Sequence, residues 1–311
     1  MNSLFRPDIK ITDYFKSHRF TVSAEVIPPR NGAEQIQVIG QIQQLVEAGS
    51  QFLSVTKGAG GSLRGGSLPI AQAIKESLKV PCIAHFTVRD LTLHDVENQL
   101  MDHHYFGIRN VLALRGDPPD GQPNWQAKDG GHSYAYQLME QIRDLNQGKY
   151  LGREGGPTPT SQLATDFCIG AAVYPEFPDL NLQLEYFERK LQAGAEYAIT
   201  DMLFDPESYA RFRDRAARLS RTIPILPGTR LLKSRTQAER MMKKFKVSVP
   251  SEILNRLPEK DSDMSLDLSL ELLDHLCKKL HSYGAPGIHL FVIVDTPIAV
   301  PAIEQLRKTW T

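Results

Sequence analysis

Val111-Leu-Ala-Leu-Arg-Gly-Asp117 is the stretch on which the fold turns. An apolar run ends abruptly in Arg115, Gly116 and Asp117, and Pro118 and Pro119 follow. It reads as a buried strand that delivers a glycine turn and two opposite charges to one end of a sheet. In parallel α/β architectures that end is where ligands sit. Phe20-Thr-Val-Ser-Ala-Glu25-Val-Ile-Pro-Pro29 has the same grammar, with the lone carboxylate of Glu25 set in apolar sequence before a double proline. Two strands that each carry a carboxylate to their C-terminal region suggest a catalytic mouth.

Working outward, apolar β-rich runs recur at 20–26, 51–55, 80–86, 108–114, 166–173, 196–200, 223–226 and 287–293. Amphipathic stretches lie near 33–48, 67–78, 92–104, 133–145, 180–193, 206–220, 234–246 and 265–283. Gly194 closes one of these helices, and Asp205 before Pro206 opens the next. Eight strands alternating with helices predict an α/β protein built as a single (β/α)8 TIM barrel over residues 1–311. A doubly wound open sheet is the alternative, weakened by the lack of an early GxGxxG between strand and helix. Two polar segments interrupt the rhythm, 118–132 and 146–165. The first follows a strand and belongs to the active face. The second precedes a strand and is expected on the opposite face, as an oligomer contact or a mobile insertion.

Composition narrows the function. The chain has 311 residues with 36 Lys plus Arg against 36 Asp plus Glu, so it lacks the basic footprint of a nucleic-acid binder. Three cysteines, Cys82, Cys168 and Cys277, form no CxxC pair and no zinc spacing, so no metal site is expected. Cys82 and Cys168 sit in apolar runs as small hydrophobes. No apolar stretch is long enough to span a membrane, and the N-terminus does not read as a signal peptide. A cytoplasmic enzyme, most simply a homo-oligomer and by expectation a dimer, fits these facts.

The candidate chemistry gathers at strand ends. Glu25 either caps a turn, pairs with Arg30 or, partly buried with raised proton affinity, acts as a general acid. Arg115 and Asp117 either form a local salt bridge or anchor a ligand, with Gly116 allowing close backbone approach. Val55-Thr56-Lys57-Gly-Ala-Gly-Gly-Ser62 is glycine-rich but is no Walker motif. His85, Tyr174 and Asp201 end further strands. Glu25, Thr56, His85, Arg115, Asp117, Tyr174 and Asp201 come from six strands, and in a barrel their ends converge on one mouth.

These motifs together resemble the methylenetetrahydrofolate reductase family in its short single-barrel form. The anchors are Ala24-Glu-Val-Ile-Pro-Pro-Arg30, Ser54-Val-Thr-Lys-Gly-Ala59, Ala84-His-Phe-Thr87, Ala113-Leu-Arg-Gly-Asp117, Tyr174-Pro-Glu176, Ala193-Gly-Ala195 with Ile199-Thr200, and Phe204-Asp205. The resemblance implies FAD at the C-terminal mouth, held by Thr56, His85, Arg115, Gly116, Asp117, Tyr134, Ala135, Ala172, Tyr174 and Lys190. It implies that Glu25 is the general acid, protonating a folate substrate so that its five-membered ring opens to an iminium that accepts hydride. Asp117 would tune the flavin, and the setting would be one-carbon metabolism and methionine biosynthesis.

The chain also departs from the family pattern. Asp201 stands where a glutamine usually contacts folate and nicotinamide, and Arg235 stands where an aromatic residue usually stacks on the dinucleotide. The final strand, ending Val294-Asp295, lacks the usual Asn-Arg pair, and Pro178 and Gln183 differ at positions near the FAD ribose and adenine. Glu25, Asp201 and Arg235 are then the expected substrate contacts. The departures point away from ordinary NAD(P)H use and toward another electron partner or the oxidative, demethylating direction. Two other readings stay open: an accessory barrel that binds folate or a partner without catalysis, and a non-flavin barrel enzyme using Glu25, Asp117 and Asp201 for acid/base or metal chemistry.

Overall fold

Thr21–Val26 forms β1, and the alternation of its side chains sets the plan of the molecule. Val22, Ala24 and Val26 join the large apolar core between strands and helices, while Ser23 turns the other way, toward the barrel axis. The computed structural model describes residues 5–17, 20–29, 34–62, 65–118, 125–152, 163–245, 247–262, 265–293 and 295–310. Arg30, the expected partner of Glu25, lies outside them.

In chain order the elements are α1 (Ile11–Ser17), β1, α2 (Gln35–Glu47), β2 (Phe52–Val55), α3 (Ser67–Ala73), β3 (Cys82–Thr87), α4 (Leu93–Tyr105) and β4 (Asn110–Leu114). There follow α5 (Ala135–Asn146), β5 (Cys168–Val173), α6 (Leu180–Gln192), β6 (Tyr197–Met202), α7 (Pro206–Ala216) and β7 (Ile225–Thr229). The chain ends with α8 (Arg235–Phe245), α9 (Ser251–Arg256), α10 (Ser265–Ser282), β8 (Gly287–Ile293) and α11 (Thr296–Trp310). The strands are parallel and close in sequence order, with β8 pairing back onto β1. This is the expected (β/α)8 barrel, and each strand falls within three residues of its expected start and end. Among the described residues, the α-helices not anticipated are α1, α9 and α11.

Local chemistry accounts for the helix starts. Thr92 and Asp95 cap α4 reciprocally: the Asp95 carboxylate accepts the Thr92 N–H at 2.9 Å, and the Thr92 hydroxyl accepts the Asp95 N–H at 3.2 Å. Asp179 accepts the Leu182 N–H at 3.0 Å, and Asp205 accepts the Glu207 N–H at 3.0 Å. Gly194, at φ +110°, ends α6 as its composition suggests.

The barrel interior is layered. At the end where the strands begin, Phe52, Ile83, Leu112, Cys168, Tyr197, Ile199 and Leu226 form an apolar plug, and Ile11, Tyr14 and Phe15 of α1 close over it. A Cβ at Gly170 would fall 2.3 Å from the Tyr197 ring, so glycine there makes room for the buried tyrosine. Further along the axis the inward residues turn polar, and the chemistry lies there. The three cysteines are buried and unpaired. Residues 119–124 and 153–162, which make up much of the two expected insertions, lie outside the described residues. The returning end of the first insertion reaches the mouth side, where Trp125 donates to Asp90 at 3.2 Å. Among the described residues no helix is long and apolar enough to cross a membrane.

Candidate active site

Glu25 occupies the mouth-side half of β1, with Ser54 of β2 and Phe291 of β8 as its register neighbours. Its side chain is 14% exposed, and His85 Nε2 of β3 stands 3.4 Å from its Oε2 without the alignment of a hydrogen bond. Burial pushes the Glu25 carboxyl up to about 8, against a hydrogen bond with the Ser54 hydroxyl. Burial also pulls His85 down to about 3, so its imidazole is neutral at physiological pH. A protonated acid beside a neutral imidazole suits proton delivery to a ligand.

The loop after β4 carries Arg115, Gly116 and Asp117 out over the mouth. Arg115 and Asp117 are exposed and form no ion pair with each other, so the local salt-bridge alternative does not hold. Instead Asp117 Oδ2 accepts the Gly60 N–H at 2.7 Å, tying this loop to the glycine-rich loop after β2. Arg89, buried just beyond β3, bridges both loops by donating to the Asp117 carbonyl at 2.7 Å and the Ser62 carbonyl at 3.0 Å. Gly116 has φ +94°, and a Cβ on it would meet Arg89 Cβ at 3.1 Å and Thr87 Cβ at 3.2 Å. Both the backbone conformation and the close approach require glycine.

Across the mouth stand β5 and β6. Tyr174 is 40% exposed, and burial of its hydroxyl end, then the charges of Asp201 and Asp117, push its phenol up to about 12, Arg115 opposing. These four residues therefore share one electrostatic neighbourhood. Burial, followed by the nearby Glu176 carboxylate, raises Asp201 to about 7. Lys190 is buried and donates to the Ala172 carbonyl at 2.7 Å, with its ammonium 5.9 Å from the Tyr174 ring. Burial pulls that ammonium down to about 8.

Tyr134 and Ala135 lie farther out, at the start of α5. Tyr134 is 42% exposed and stacks on Tyr136 at 5.2 Å and on Tyr186 at 6.1 Å, with the Arg189 guanidinium over the latter two rings. This aromatic shelf offers a face to a planar group. Arg235 opens α8, and its guanidinium donates twice to the Leu254 carbonyl, at 3.2 and 3.1 Å. Asp295, just past β8, pairs with Arg230 at 2.5 Å and Lys233 at 3.3 Å. Beside this cluster, off the barrel axis, is a cavity of about 560 Å³ lined by Arg230, Lys233, Arg240, Lys244 and Lys260 among others. It holds none of the acid/base residues.

The mouth fits a polar, planar, anionic cofactor. Thr56 Oγ1, Thr87 Oγ1, His85 Nε2, Gln183 Oε1 and Asp201 Oδ1 are all buried without a hydrogen-bond partner among the described residues. Orphaned polar atoms of this kind are costly unless a ligand satisfies them. Arg115 supplies exposed positive charge, and Tyr134 and Tyr174 supply aromatic surface. Sequence reading missed Ser23, Ser54, Arg89 and His289. Arg89 alone had a local signal, as a charge directly after a strand in Thr87-Val-Arg89.

Comparison with known proteins agrees with this geometry. The sequence profile of the family described as methylenetetrahydrofolate reductase matches residues 10–306. The chain is 29% identical over 299 residues to methylenetetrahydrofolate reductase (NADH) 1 of Zea mays, covering 96% of this chain and 50% of that protein. It is 27% identical over 281 residues to the 5,10-methylenetetrahydrofolate reductase of Salmonella typhimurium, covering 88% of this chain and 86% of that one. The chain spans about half the length of the plant and several of the fungal relatives it matches. Among solved structures, an uncharacterised Clostridium thermocellum protein that binds two copies of 5-methyl-5,6,7,8-tetrahydrofolic acid superposes with a TM-score of 0.62 at 15% identity. That match covers 96% of this chain and 99% of the other, and at this identity it speaks for the fold alone. With a barrel whose mouth gathers Glu25, His85, Arg115 and Asp117, and a profile match along nearly its whole length, this chain belongs to the methylenetetrahydrofolate reductase family.

Proposed function

We propose that the protein is a FAD-dependent oxidoreductase that interconverts 5,10-methylenetetrahydrofolate and 5-methyltetrahydrofolate. The observation that carries this reading is Glu25, an acid held protonated into the physiological range at the mouth of the barrel. Opening the five-membered ring of the methylene folate requires a proton at a ring nitrogen, and an ordinary carboxyl group would already be ionised at neutral pH. Glu25 keeps that proton, and the neutral His85 beside it leaves it free to move to the substrate.

FAD, when bound, would supply the hydride chemistry. Thr56, His85, Arg115, Gly116, Asp117, Tyr134, Ala135, Ala172, Tyr174 and Lys190 would hold it. Arg115 offers charge to an anionic group, Gly116 admits close backbone approach, and Asp117 is held in place by Gly60. Glu25, Asp201 and Arg235 would face the substrate. With its proton affinity raised to about 7, Asp201 is partly protonated near neutrality, and a carboxylic acid offers a donor and an acceptor as a carboxamide does.

We further infer altered NAD(P)H use, or operation in the oxidative direction. The support is that Arg235 is committed to the Leu254 carbonyl and Asp295 to Arg230 and Lys233, while Glu25 and Asp117 keep their places. An anaerobic half-reaction tests both readings. Methyl-tetrahydrofolate and NADH are added separately to the flavin-loaded protein, and the visible band of the oxidised flavin is followed. Bleaching by the folate is expected. Equal bleaching by NADH would remove the altered-donor reading, and failure to take up FAD would favour the accessory barrel.

A further inference from the structure

The off-axis cavity of about 560 Å³ has no part in the chemistry of Glu25, His85 and Asp117, yet its walls are built for a ligand. Its volume lies within the range of small-molecule sites. Three separate segments bring cations to it. The loop after β7 gives Arg230 and Lys233, α8 gives Arg240 and Lys244, and the connection from α9 to α10 gives Lys260. Among the described residues that line it, Asp261 is the one carboxylate.

The nearby negative charge is already engaged. Asp295 lies 2.5 Å from Arg230 and 3.3 Å from Lys233, and Asp261 lies 3.5 Å from Lys233. Arg240, Lys244 and Lys260 are exposed, and among the described residues none of them has a carboxylate within ion-pairing distance. Arg240 and Lys244 stand four residues apart on one helix, a spacing at which like charges repel. The negative end of α8 favours Lys244, but it does not account for Lys260, which another segment supplies. Arg230 Nε is buried without a hydrogen-bond partner among the described residues, an orphan donor in the same wall. The start of α8 is no anion seat, because the Arg235 N–H donates to the Pro258 carbonyl at 2.8 Å and the Thr236 N–H to the Glu259 carbonyl at 3.3 Å. Side chains must do the holding.

The cavity also has an apolar side, made by Met241 and Phe245. Phe245 is 41% exposed, and the Lys244 ammonium lies 5.3 Å from its ring centroid. A polyanion that carries a flat ring matches this pairing of cations with an aromatic face. We propose that the cavity is a nucleotide site, which takes the phosphates of a nucleoside diphosphate on Arg240, Lys244 and Lys260 and its base against Phe245 and Met241. A guanidinium fork grips phosphate oxygens in pairs, an ammonium adds a point charge, and the ring stacks. The ligand is either a free nucleoside diphosphate or the diphosphate half of a dinucleotide.

Titration calorimetry with ADP on the full chain, as purified and after loading with FAD, tests the site. One-site binding with a micromolar Kd is expected in both states, weakened by added sodium chloride. Arg240→Ala and Lys244→Ala should each weaken it about tenfold, the loss of one charge-assisted bond. Phe245→Ala should weaken ADP binding and leave that of inorganic pyrophosphate unchanged. Lys16→Ala, on α1 at the opposite end of the barrel, should change neither. Competition by NADH would assign the site to a dinucleotide, and indifference to NADH would assign it to a free nucleotide.

No heat from ADP at millimolar concentration would overturn the proposal. So would an unchanged Kd in the Arg240→Ala, Lys244→Ala double variant, or release of bound FAD by ADP, which would place the nucleotide in the mouth. Tighter binding of tri-γ-glutamate than of ADP would replace the phosphate ligand with a polycarboxylate. If the protein takes up no FAD while the variants behave as expected, the flavin reading fails and the nucleotide site stands.

Discussion

Asp117 Oδ2 accepts the backbone N–H of Gly60 at 2.7 Å, so the loop after β4 is tied to the loop after β2 across the end of β3. The Arg89 guanidinium, donating to the carbonyls of Asp117 and Ser62, closes the same bridge from beneath. The carboxylate is thus fixed by a neighbouring strand's loop rather than by Arg115. Its charge is left to act on whatever occupies the mouth.

Asp117→Asn separates those two roles. The amide oxygen can still accept from Gly60, so thermal stability should change by less than about 1 kcal/mol. The negative charge is lost, and the midpoint potential of bound flavin should rise, as measured by dye equilibration. An unchanged potential would leave Asp117 with a structural role alone.

Gly116→Ala tests the close approach beneath that loop. At φ +94° an alanine is strained, and its Cβ would press on Arg89 and Thr87 at 3.1 and 3.2 Å. A loss of about 1–3 kcal/mol in denaturant unfolding is expected. The displaced Arg89 should also weaken flavin retention during dialysis. Wild-type retention with a stability loss confined to the strain would separate the turn from the site.

Glu25→Gln should abolish folate turnover while flavin remains bound, since the amide keeps the shape and has no acidic proton. The same variant reports on stability. Glu25 titrates near its ordinary value of 4.5 when unfolded and at about 8 when folded. Between those values the folded chain holds a proton that the unfolded chain has released. The contribution is therefore fully present below pH 4.5 and is lost as pH rises to 8. The useful interval runs from pH 7 to 8, between the midpoints of Asp201 and Lys190, two groups that the variant shares. Wild-type stability should fall there with a slope of at most about 1.4 kcal/mol per pH unit, and the variant should be flatter. Denaturant midpoints at the two pH values decide the matter.

Asp201→Asn replaces an acid that titrates near 7 with a permanent amide. Folate KM in the wild type should rise as pH passes above 7 and Asp201 ionises next to Glu176. In the variant KM should stay low across that range, while kcat still follows Glu25. A KM in the variant with the wild-type pH dependence would place the titration elsewhere.

The strand runs, the barrel and the mouth residues Glu25, Arg115, Gly116, Asp117 and Asp201 were legible from the chain alone. Apolar runs of strand length and abrupt polar endings are local signals, and a parallel barrel puts all such endings on one face. The helix α1 was not legible. Its seven residues have no long periodic pattern, and they fold where Ile11, Tyr14 and Phe15 find the apolar plug inside the barrel. Asp117 meeting Gly60 and Arg235 meeting Leu254 depended on loops brought together by neighbouring strands and helices. Ser54 and His289 lie 235 positions apart and read in sequence as two ordinary polar residues within strands. Only closure of the barrel, with β8 set in register against β1, puts His289 against both Ser23 and Ser54. Side-chain composition along each strand determined which residues could carry the proton. The shear and register of the closed sheet decided which of them touch.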